Sequence, residues 1–192
     1  MALEDDRHSK AVETEIISDP AEKARQEAKN GLRQYDEVIE QIHYWLQPER
    51  PFKLHPSAIL KLHRTALEGI SHFAGVFRPG GIEIKVSKHV PPGAHLVPEN
   101  VEHFCDYINE NWNHASALHL SAYTLWRLNW IHPFVDGNGR TSCVVSFLVL
   151  CARMGYILPG KTTIPDLIAR NKHPTTKLWK PLMRRIKEKP RI

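Results

Sequence analysis

The sequence predicts a mostly α-helical domain that carries one small β-hairpin. Apolar side chains recur every three or four residues along several long stretches, which is typical of helices with one buried face. Strict alternation of apolar and polar residues is clear only at 82–86, which predicts a strand. The chain has 192 residues, 42% of them hydrophobic and 24% charged, which supports one globular core and excludes a disordered chain.

The first predicted helix spans residues 20–46, because Asp19 can cap it and Pro20 suits its first turn. Its expected buried stripe consists of Ala28, Leu32, Tyr35, Ile39, Ile42 and Leu46. A second helix is predicted over 56–68. Glycines and prolines between residues 75 and 98 surround the strand at 82–86, so a hairpin is expected there.

A third helix is predicted to begin at Pro98, with Val101, Cys105, Ile108 and Trp112 on one face. A fourth covers residues 115–130, and a fifth follows the loop at 132–139 and ends near Gly155. Two shorter helical segments are expected to begin at Pro165 and Pro174. We expect two regions, an N-terminal helical region at 1–50 and a core domain at 51–192 that carries the loop 132–140.

Composition also indicates where the protein works and what it contacts. Three cysteines do not make a disulfide framework, and the charged N-terminus has no apolar signal segment, so we expect a cytoplasmic protein with no membrane partner. The net charge is +5, and the basic residues concentrate at 184–191. Such a run is more typical of a solvated helix end than of a nucleic-acid site, so nucleic acid is not an expected partner.

Residues 131–142, Ile-His-Pro-Phe-Val-Asp-Gly-Asn-Gly-Arg-Thr-Ser, carry the chemistry. Gly137 and Gly139 allow the backbone to approach a ligand closely, and Asn138 lies between them. The next helix begins here and adds free N–H groups and the positive end of its dipole. Together these features predict an anion site.

Three side chains complete that site. Asp136 offers a hard oxygen ligand for magnesium bound to phosphates, and Arg140 offers a forked cation for phosphate oxygens. His132 is the group able to exchange a proton near neutral pH. The combination favours phosphoryl or nucleotidyl transfer, whereas the structural alternative is a core histidine beside turn glycines. We expect Phe134 to anchor the loop in the core.

The stretch His-Pro-Phe-Val-Asp-Gly-Asn-Gly-Arg resembles the motif of the Fic family, and residues 71–78, the hairpin and the segment from Pro98 to Trp112 resemble the family's flap region. The resemblance implies a helical Fic fold and AMPylation, the transfer of AMP from ATP to a protein hydroxyl. It also implies the roles of the site residues: His132 as general base, Asp136 as the magnesium ligand, Asn138 with the amides of Gly137 and Gly139 at the α-phosphate, and Arg140 at the β-phosphate.

The resemblance further separates reaction types and suggests how a target docks. Relatives that transfer phosphate resemble a version with lysine where this chain has Gly139, so AMP transfer is favoured. The predicted strand would act as the flap on which a target segment pairs through main-chain hydrogen bonds. Its residues are Ile82, Glu83, Ile84, Lys85 and Val86. A purely structural hairpin is the alternative.

The sequence departs from the family motif at Cys143, where relatives have a second arginine that contacts the γ-phosphate and pairs with an inhibitory glutamate. Residues 140 and 143 share a helix face, so Cys143 is expected to lie towards the phosphates without a charge. The loss of a charged phosphate contact is expected to cost about 1.5–3 kcal/mol of interaction energy, which would weaken the use of ATP. At a helix N-terminus this thiol is either reactive, with a lowered pKa, or buried and inert.

An inhibitory motif is predicted near the N-terminus, where residues 9–14 resemble the family pattern, with Ser9 first and Glu13 as the acid. A solvent-exposed acid is the alternative for Glu13. The expected function is therefore an autoinhibited protein adenylyltransferase that uses ATP and Mg²⁺ on an unknown target protein. Two alternatives stay open, namely a weak or inactive nucleotide- or partner-binding protein and an enzyme that removes AMP. A homo-oligomer is also compatible with the sequence.

Overall fold

The computed structural model describes residues 15–80 and 89–158. Within these residues the chain forms five α-helices, preceded in one case by a short 3₁₀ helix at Ala94–Leu96. The helices are α1 (Pro20–Trp45), α2 (Pro56–Leu67), α3 (Val97–Glu110), α4 (Ala117–Ile131) and α5 (Asn138–Met154). The prediction of a mostly helical fold is confirmed. The strand at 82–86 and the segments predicted to begin at Pro165 and Pro174 lie outside the described residues.

The contacts divide the chain into two units, Met1–Ile157 and Leu158–Ile192, and all five helices belong to the first. Helix α5 packs against α4, α1 and α2, while α3 packs against α4 and α2. Apolar residues of α5 are accordingly buried on several sides. They are Val145, Leu148, Val149, Leu150 and Cys151. No helix in the described part of the chain is long and apolar enough to cross a bilayer.

Helix α1 buries a different face from the one that its apolar residues predicted. Leu32 is 71% exposed and Tyr35 is 49% exposed, and Ala28 is exposed as well. The residues that α1 buries follow a spacing of four and are Asn30, Gln34, Val38 and Ile42. The predicted stripe was therefore wrong in the N-terminal half of this helix.

Side-chain hydrogen bonds explain why polar residues occupy the buried face of α1. The Asn30 amide donates to the carbonyl oxygens of Ala66 at 3.2 Å and Glu68 at 2.8 Å, at the C-terminal end of α2. The Gln34 amide donates to the Leu62 carbonyl at 3.0 Å. The carbonyls of Ala66 and Glu68 lie at the end of α2, where intrahelical partners are lacking, so a buried amide that satisfies them is compatible with the core. Polar pairing, and not apolar periodicity, orients the first half of α1.

The start of the described chain lies against the residues that follow α2. Glu15 forms an isolated antiparallel bridge with Ser71, and the Ile16 N–H donates to the Ile70 carbonyl at 2.8 Å. Residues 15 and 16 therefore lie next to the segment that leads from α2 towards residues 81–88. Ser9 and Glu13, predicted to be regulatory, lie outside the described residues.

Candidate functional site

The motif loop, residues 132–137, connects α4 to α5. His132 caps the C-terminus of α4 in the left-handed conformation, with φ 50° and ψ 60°, and its N–H donates to the Leu128 carbonyl at 2.9 Å. Among the described residues it is the one non-glycine residue with a positive φ. Such backbone strain is concentrated at functional sites, because it persists only where the surroundings hold it in place.

A buried arginine holds the start of this loop. Arg78 is 5% exposed, and its Nε donates to the His132 carbonyl at 2.7 Å. Its main-chain N–H donates to the Pro133 carbonyl at 2.9 Å, and its Nη2 donates to the Pro92 carbonyl. The guanidinium thus joins the first residue of the loop, His132, to Pro92, and the main-chain N–H of Arg78 holds the second, Pro133. These contacts stabilise the strained conformation of His132.

Asn138 closes the loop from within. Its Oδ1 accepts the Phe134 N–H at 2.9 Å, and its Nδ2 donates to the Phe134 carbonyl at 2.8 Å. The side chain is buried, at 6% exposure, so its amide is used to shape the loop. The contact of Asn138 with the α-phosphate stays a prediction, and the structure leaves its main-chain N–H, not its side-chain amide, for that contact. Phe134 is 1% exposed, which agrees with its predicted role as the anchor of the loop.

The N-terminus of α5 is open to an anion. Gly137 is the N-cap residue with φ 73°, and no described side chain caps this helix. The first hydrogen bond of the helix runs from the Thr141 N–H to the Gly137 carbonyl at 2.9 Å, which leaves the N–H groups of residues 138–140 without helical acceptors. A Cβ built on Gly139 meets no atom within 4 Å, so this side of the turn is open space.

Two carboxylates share the guanidinium of Arg140. Its Nη2 lies 3.3 Å from Asp136 Oδ2, and its Nη1 lies 3.2 Å from Oε1 of Glu27, a residue of α1. All three side chains are about one-third exposed. The other oxygen of Asp136, Oδ1, accepts the Gly137 N–H at 2.6 Å. Asp136, Arg140 and the open N-terminus of α5 therefore lie around one region, where a bound polyphosphate can contact all three.

The residues present suit the magnesium of a nucleotide complex better than a resident metal. No group of three or more His, Cys, Asp or Glu side chains among residues 15–80 and 89–158 is arranged to hold an ion. Asp136 offers a partly exposed carboxylate next to the open helix end, which matches the way Mg²⁺ is held through one or two carboxylates while phosphates and water supply its other ligands.

The imidazole of His132 is neutral at physiological pH. Burial, reinforced by the positive charge of Arg78, lowers its pKa to about 4, although a hydrogen bond with the Asn129 carbonyl acts in the opposite direction. His89 lowers this pKa further, and the negative charge of Asp136 raises it. A neutral ring that donates one N–H to a carbonyl keeps a lone pair on its other nitrogen. His132 is thus in the state that a general base requires.

Cys143 lies in the first half of α5 and is half-buried. Burial raises the pKa of its thiol to about 11. Of the two alternatives that the sequence left open for this thiol, the raised pKa favours the buried, inert one. The remaining predicted site residues, the flap at 82–86, lie outside the described part of the chain.

Sequence analysis missed three residues that contact the site: Glu27, which binds Arg140, and His63 and Arg78, which bind the motif loop. His63 lies in α2, where its ring stacks on Phe134 and hydrogen bonds to the Asp136 carbonyl. Its position on the apolar face of α2 was a usable signal, since that face is otherwise made of Ile59, Leu62, Ala66 and Leu67. The contact of Glu27 with Arg140 spans 113 positions and had no local signal.

The sequence profile of the Fic/DOC family matches residues 53–150, just over half of the chain, and this stretch includes α2 and the motif loop. The chain belongs to the Fic/DOC family. The resemblance seen in the motif is thereby confirmed. The family match covers the loop that Arg78, His63 and Asn138 hold in place.

Relatives and solved structures agree with this assignment. The protein adenylyltransferase Fic of Drosophila persimilis is 38% identical over 102 residues, which cover 51% of this chain and 19% of that protein. A Fic domain containing signaling protein from Bacteroides thetaiotaomicron superposes with a TM-score of 0.64 at 22% identity, over 81% of this chain and 57% of that one. The BepC protein of Bartonella tribocorum, solved with bound AMPPNP, gives a TM-score of 0.51 at 16% identity, over 86% and 88% of the two chains. The two structural likenesses show the Fic fold, and the chain spans about a fifth of the length of the curated relatives that it matches.

Proposed function

We propose that this chain is a protein adenylyltransferase, which transfers AMP from ATP to a serine, threonine or tyrosine hydroxyl of a target protein. The observation that carries the proposal is a neutral His132 at the start of a loop that ends in an open helix N-terminus with Arg140 beside it. Two comparisons support it: the Drosophila relatives are named protein adenylyltransferases, and the BepC structure holds AMPPNP.

The reaction follows from the chemistry of these groups. His132 accepts the proton of the target hydroxyl, whose oxygen forms a bond to the α-phosphorus. The bond from that phosphorus to the oxygen that bridges to the β-phosphate breaks, and pyrophosphate leaves with the electron pair. The N–H groups at the start of α5 stabilise negative charge on the α-phosphate, and Arg140 holds the β-phosphate. Asp136 would hold Mg²⁺, which neutralises phosphate charge when bound.

The proposal also includes how the target protein docks and how the enzyme is inhibited. The target segment pairs with the flap at 82–86 and presents its hydroxyl to His132, and Ser9 with Glu13 forms an inhibitory motif. The region 1–50 is then regulatory and 51–192 catalytic, although α1 and α2, on either side of that boundary, lie in one structural unit. We place this enzyme in the cytoplasm.

The test uses purified protein, Mg²⁺ and ATP that is labelled on either the α- or the γ-phosphate. We expect covalent label from the α-labelled nucleotide alone, no label in His132→Ala, and more label in Glu13→Gly. His114→Ala is the matched control, because His114 is exposed and lies between α3 and α4, outside the loop and the flap region. Label from the γ-phosphate would indicate phosphate transfer instead, and label that persists in His132→Ala would remove the proposed base.

Cys143 supports a second candidate function, a nucleotide- or partner-binding protein with little or no transferase activity. The residue is uncharged and half-buried, so it supplies no cationic contact for the γ-phosphate. Cys143→Arg distinguishes the two functions, since it would restore labelling if the missing charge is the cause of inactivity. Removal of AMP uses the same residues, and release of AMP from pre-labelled protein after ATP is withdrawn would detect it.

A further inference from the structure

His63 lies at a point where three segments of the domain meet. Its side chain is fully buried in α2, at 0% exposure. The ring stacks on Phe134 with 3.7 Å between ring centroids and 6° between ring planes. Its Nδ1 lies 2.9 Å from the Gly75 nitrogen, and its Nε2 lies 3.0 Å from the Asp136 carbonyl oxygen. Every polar atom of the ring is therefore engaged, and each engages a different segment.

The chemistry of the partners fixes the protonation of the ring. The Gly75 N–H can only donate, so Nδ1 accepts and carries no hydrogen. The Asp136 carbonyl can only accept, so Nε2 carries the hydrogen and donates. One neutral tautomer satisfies both contacts. The other tautomer and the imidazolium would each place an N–H of the ring against the Gly75 N–H.

The backbone at Gly75 is shaped for this contact. Gly75 has φ 77°, and a Cβ at this position would lie 2.8 Å from side-chain atoms of Arg64. Only glycine therefore fits where the N–H must meet His63. Three residues later, Arg78 binds the His132 and Pro133 carbonyls. The segment 71–78 is thus joined to the motif loop twice, once through His63 and once through Arg78.

We propose that His63 is a positioning residue for the transfer reaction, which holds the main chain of Asp136 and couples it to the segment 71–78. Asp136 contacts both Gly137 and Arg140, so fixing its carbonyl fixes the first turn of α5 relative to α2. His63 touches neither nucleotide nor target in this scheme and acts through Asp136. The inference deepens the proposed function and rests on it for its effect on catalysis.

The first experiment requires no activity. Nitrogen-15 NMR of the imidazole rings in the unliganded protein reports the tautomer, and hydrogen exchange reports protection of the Gly75 amide. We expect the Nε2–H tautomer for His63, a slowly exchanging Gly75 amide, and loss of that protection in His63→Phe. The Nδ1–H tautomer, or an amide of Gly75 that exchanges as fast as an exposed one, would overturn the proposal.

The second experiment separates positioning from simple core packing. His63→Gln places an amide donor near Nε2, His63→Asn places an acceptor near Nδ1, and His63→Phe keeps the stacked ring without either hydrogen bond. We expect the KM for ATP to stay within about threefold in His63→Gln, which keeps the hydrogen bond to Asp136, and to rise about tenfold in His63→Asn, which loses it. His114→Gln, at an exposed histidine between α3 and α4, is the control and should match the unmodified protein.

The outcomes are distinguishable from failure of the proposed function. The loss of activity in each His63 variant is compared with the decrease in its melting temperature. If the two are proportional in all three variants, and His63→Gln and His63→Asn lose equal activity, then His63 is a packing residue and the positioning role is wrong. If the unmodified protein transfers no AMP, calorimetric ATP affinities of the same variants replace KM and are expected in the same order. Equal ATP affinities in that case would overturn the role of His63 independently of the transferase proposal.

Discussion

Arg140, in the first turn of α5, donates a hydrogen bond to Glu27 of α1, with 3.2 Å between Nη1 and Oε1. The same guanidinium lies 3.3 Å from Asp136, so it has a carboxylate on each side. A phosphate that binds Arg140 must share it with these acids or displace one of them. Glu27, which sequence analysis missed, therefore opposes the nucleotide at the contact where the β-phosphate is proposed to bind.

Neutralising Glu27 is expected to strengthen nucleotide binding. The pair is about one-third exposed, so its interaction energy is at most about 1 kcal/mol. Glu27→Gln should consequently lower the Kd for ATP by about two- to fivefold in calorimetric titration. Glu40→Gln, at an exposed acid of the same helix, serves as the control and should leave the Kd unchanged. Weaker binding in Glu27→Gln would mean that Glu27 orients Arg140 instead of competing for it.

The two glycines of the motif should respond oppositely to alanine. Gly137 has φ 73°, and an added Cβ would lie 3.4 Å from Leu67, so Gly137→Ala should lower the free energy of unfolding by about 1–2 kcal/mol. Gly139 lies in α5 with open space around it, so Gly139→Ala should raise stability by up to about 1 kcal/mol. Urea unfolding measures both values. Equal losses at the two positions would contradict this account of the loop.

Removing the Asn138 side chain should destabilise the loop more than an ordinary surface change does. Asn138→Ala leaves the buried N–H and carbonyl of Phe134 without partners, at a cost of about 2–4 kcal/mol. Asn113→Ala, at an exposed asparagine, should change stability by less than about 0.5 kcal/mol. Thermal unfolding of the two variants compares them directly. A similar, small change in both would show that the Phe134 bonds are not important for stability.

Stability should fall as the solution becomes acidic, in part because of His63. Burial lowers the pKa of this histidine from 6.5 to about 4. Between these values the unfolded chain binds a proton that the folded chain does not, so lowering the pH favours unfolding. The unmodified protein should therefore lose about 2 kcal/mol more than His63→Phe between about pH 7 and about pH 5. Parallel losses in the two proteins, measured by urea unfolding, would contradict the lowered pKa.

Cys143 should be inert towards alkylating reagents in the folded protein. Burial raises the pKa of its thiol from 9 to about 11, so the reactive thiolate is about 100-fold scarcer than in the unfolded chain. Iodoacetamide labelling followed by mass spectrometry should therefore be about 100-fold slower than in urea. The Cys105 thiol, whose pKa burial raises to about 12, is an internal comparison. Fast modification of Cys143 alone would show that it is an activated thiol.

Much of the helical order could be predicted from local signals. The cap at Asp19 and the proline at the start of α1 predicted a helix that begins at Pro20, as observed, and Asp19 accepts hydrogen bonds from Ala21 and Glu22. Which face of α1 is buried could not be predicted from local signals. Its orientation depends on amide hydrogen bonds from Asn30 and Gln34 to α2, which hydrophobic periodicity does not register.

The motif predicted the location of the site, but it did not predict the contacts from other segments that hold the site in place. Residues 132–140 are contiguous, and their chemical types alone indicate an anion site with a base. Glu27, His63 and Arg78 come from elsewhere in the chain, and their contacts depend on how α1, α2 and the segment 71–78 pack around α5. Cys143 illustrates the same limit, since the helix dipole and burial act oppositely on its pKa and only packing decides between them.

The closed ring of hydrogen bonds between Asn138 and Phe134 has a consequence for the energetics of ligand capture. A flexible glycine-containing loop would lose conformational entropy when it wraps an anion, and that loss would weaken binding. Here the loop reaches its shape through bonds among its own residues, so the entropy is lost when the domain folds and not when the ligand arrives. Under the proposed function, the motif loop binds the nucleotide without further ordering of residues 134–138, and the contacts of Arg140 are the part of the site that has to change.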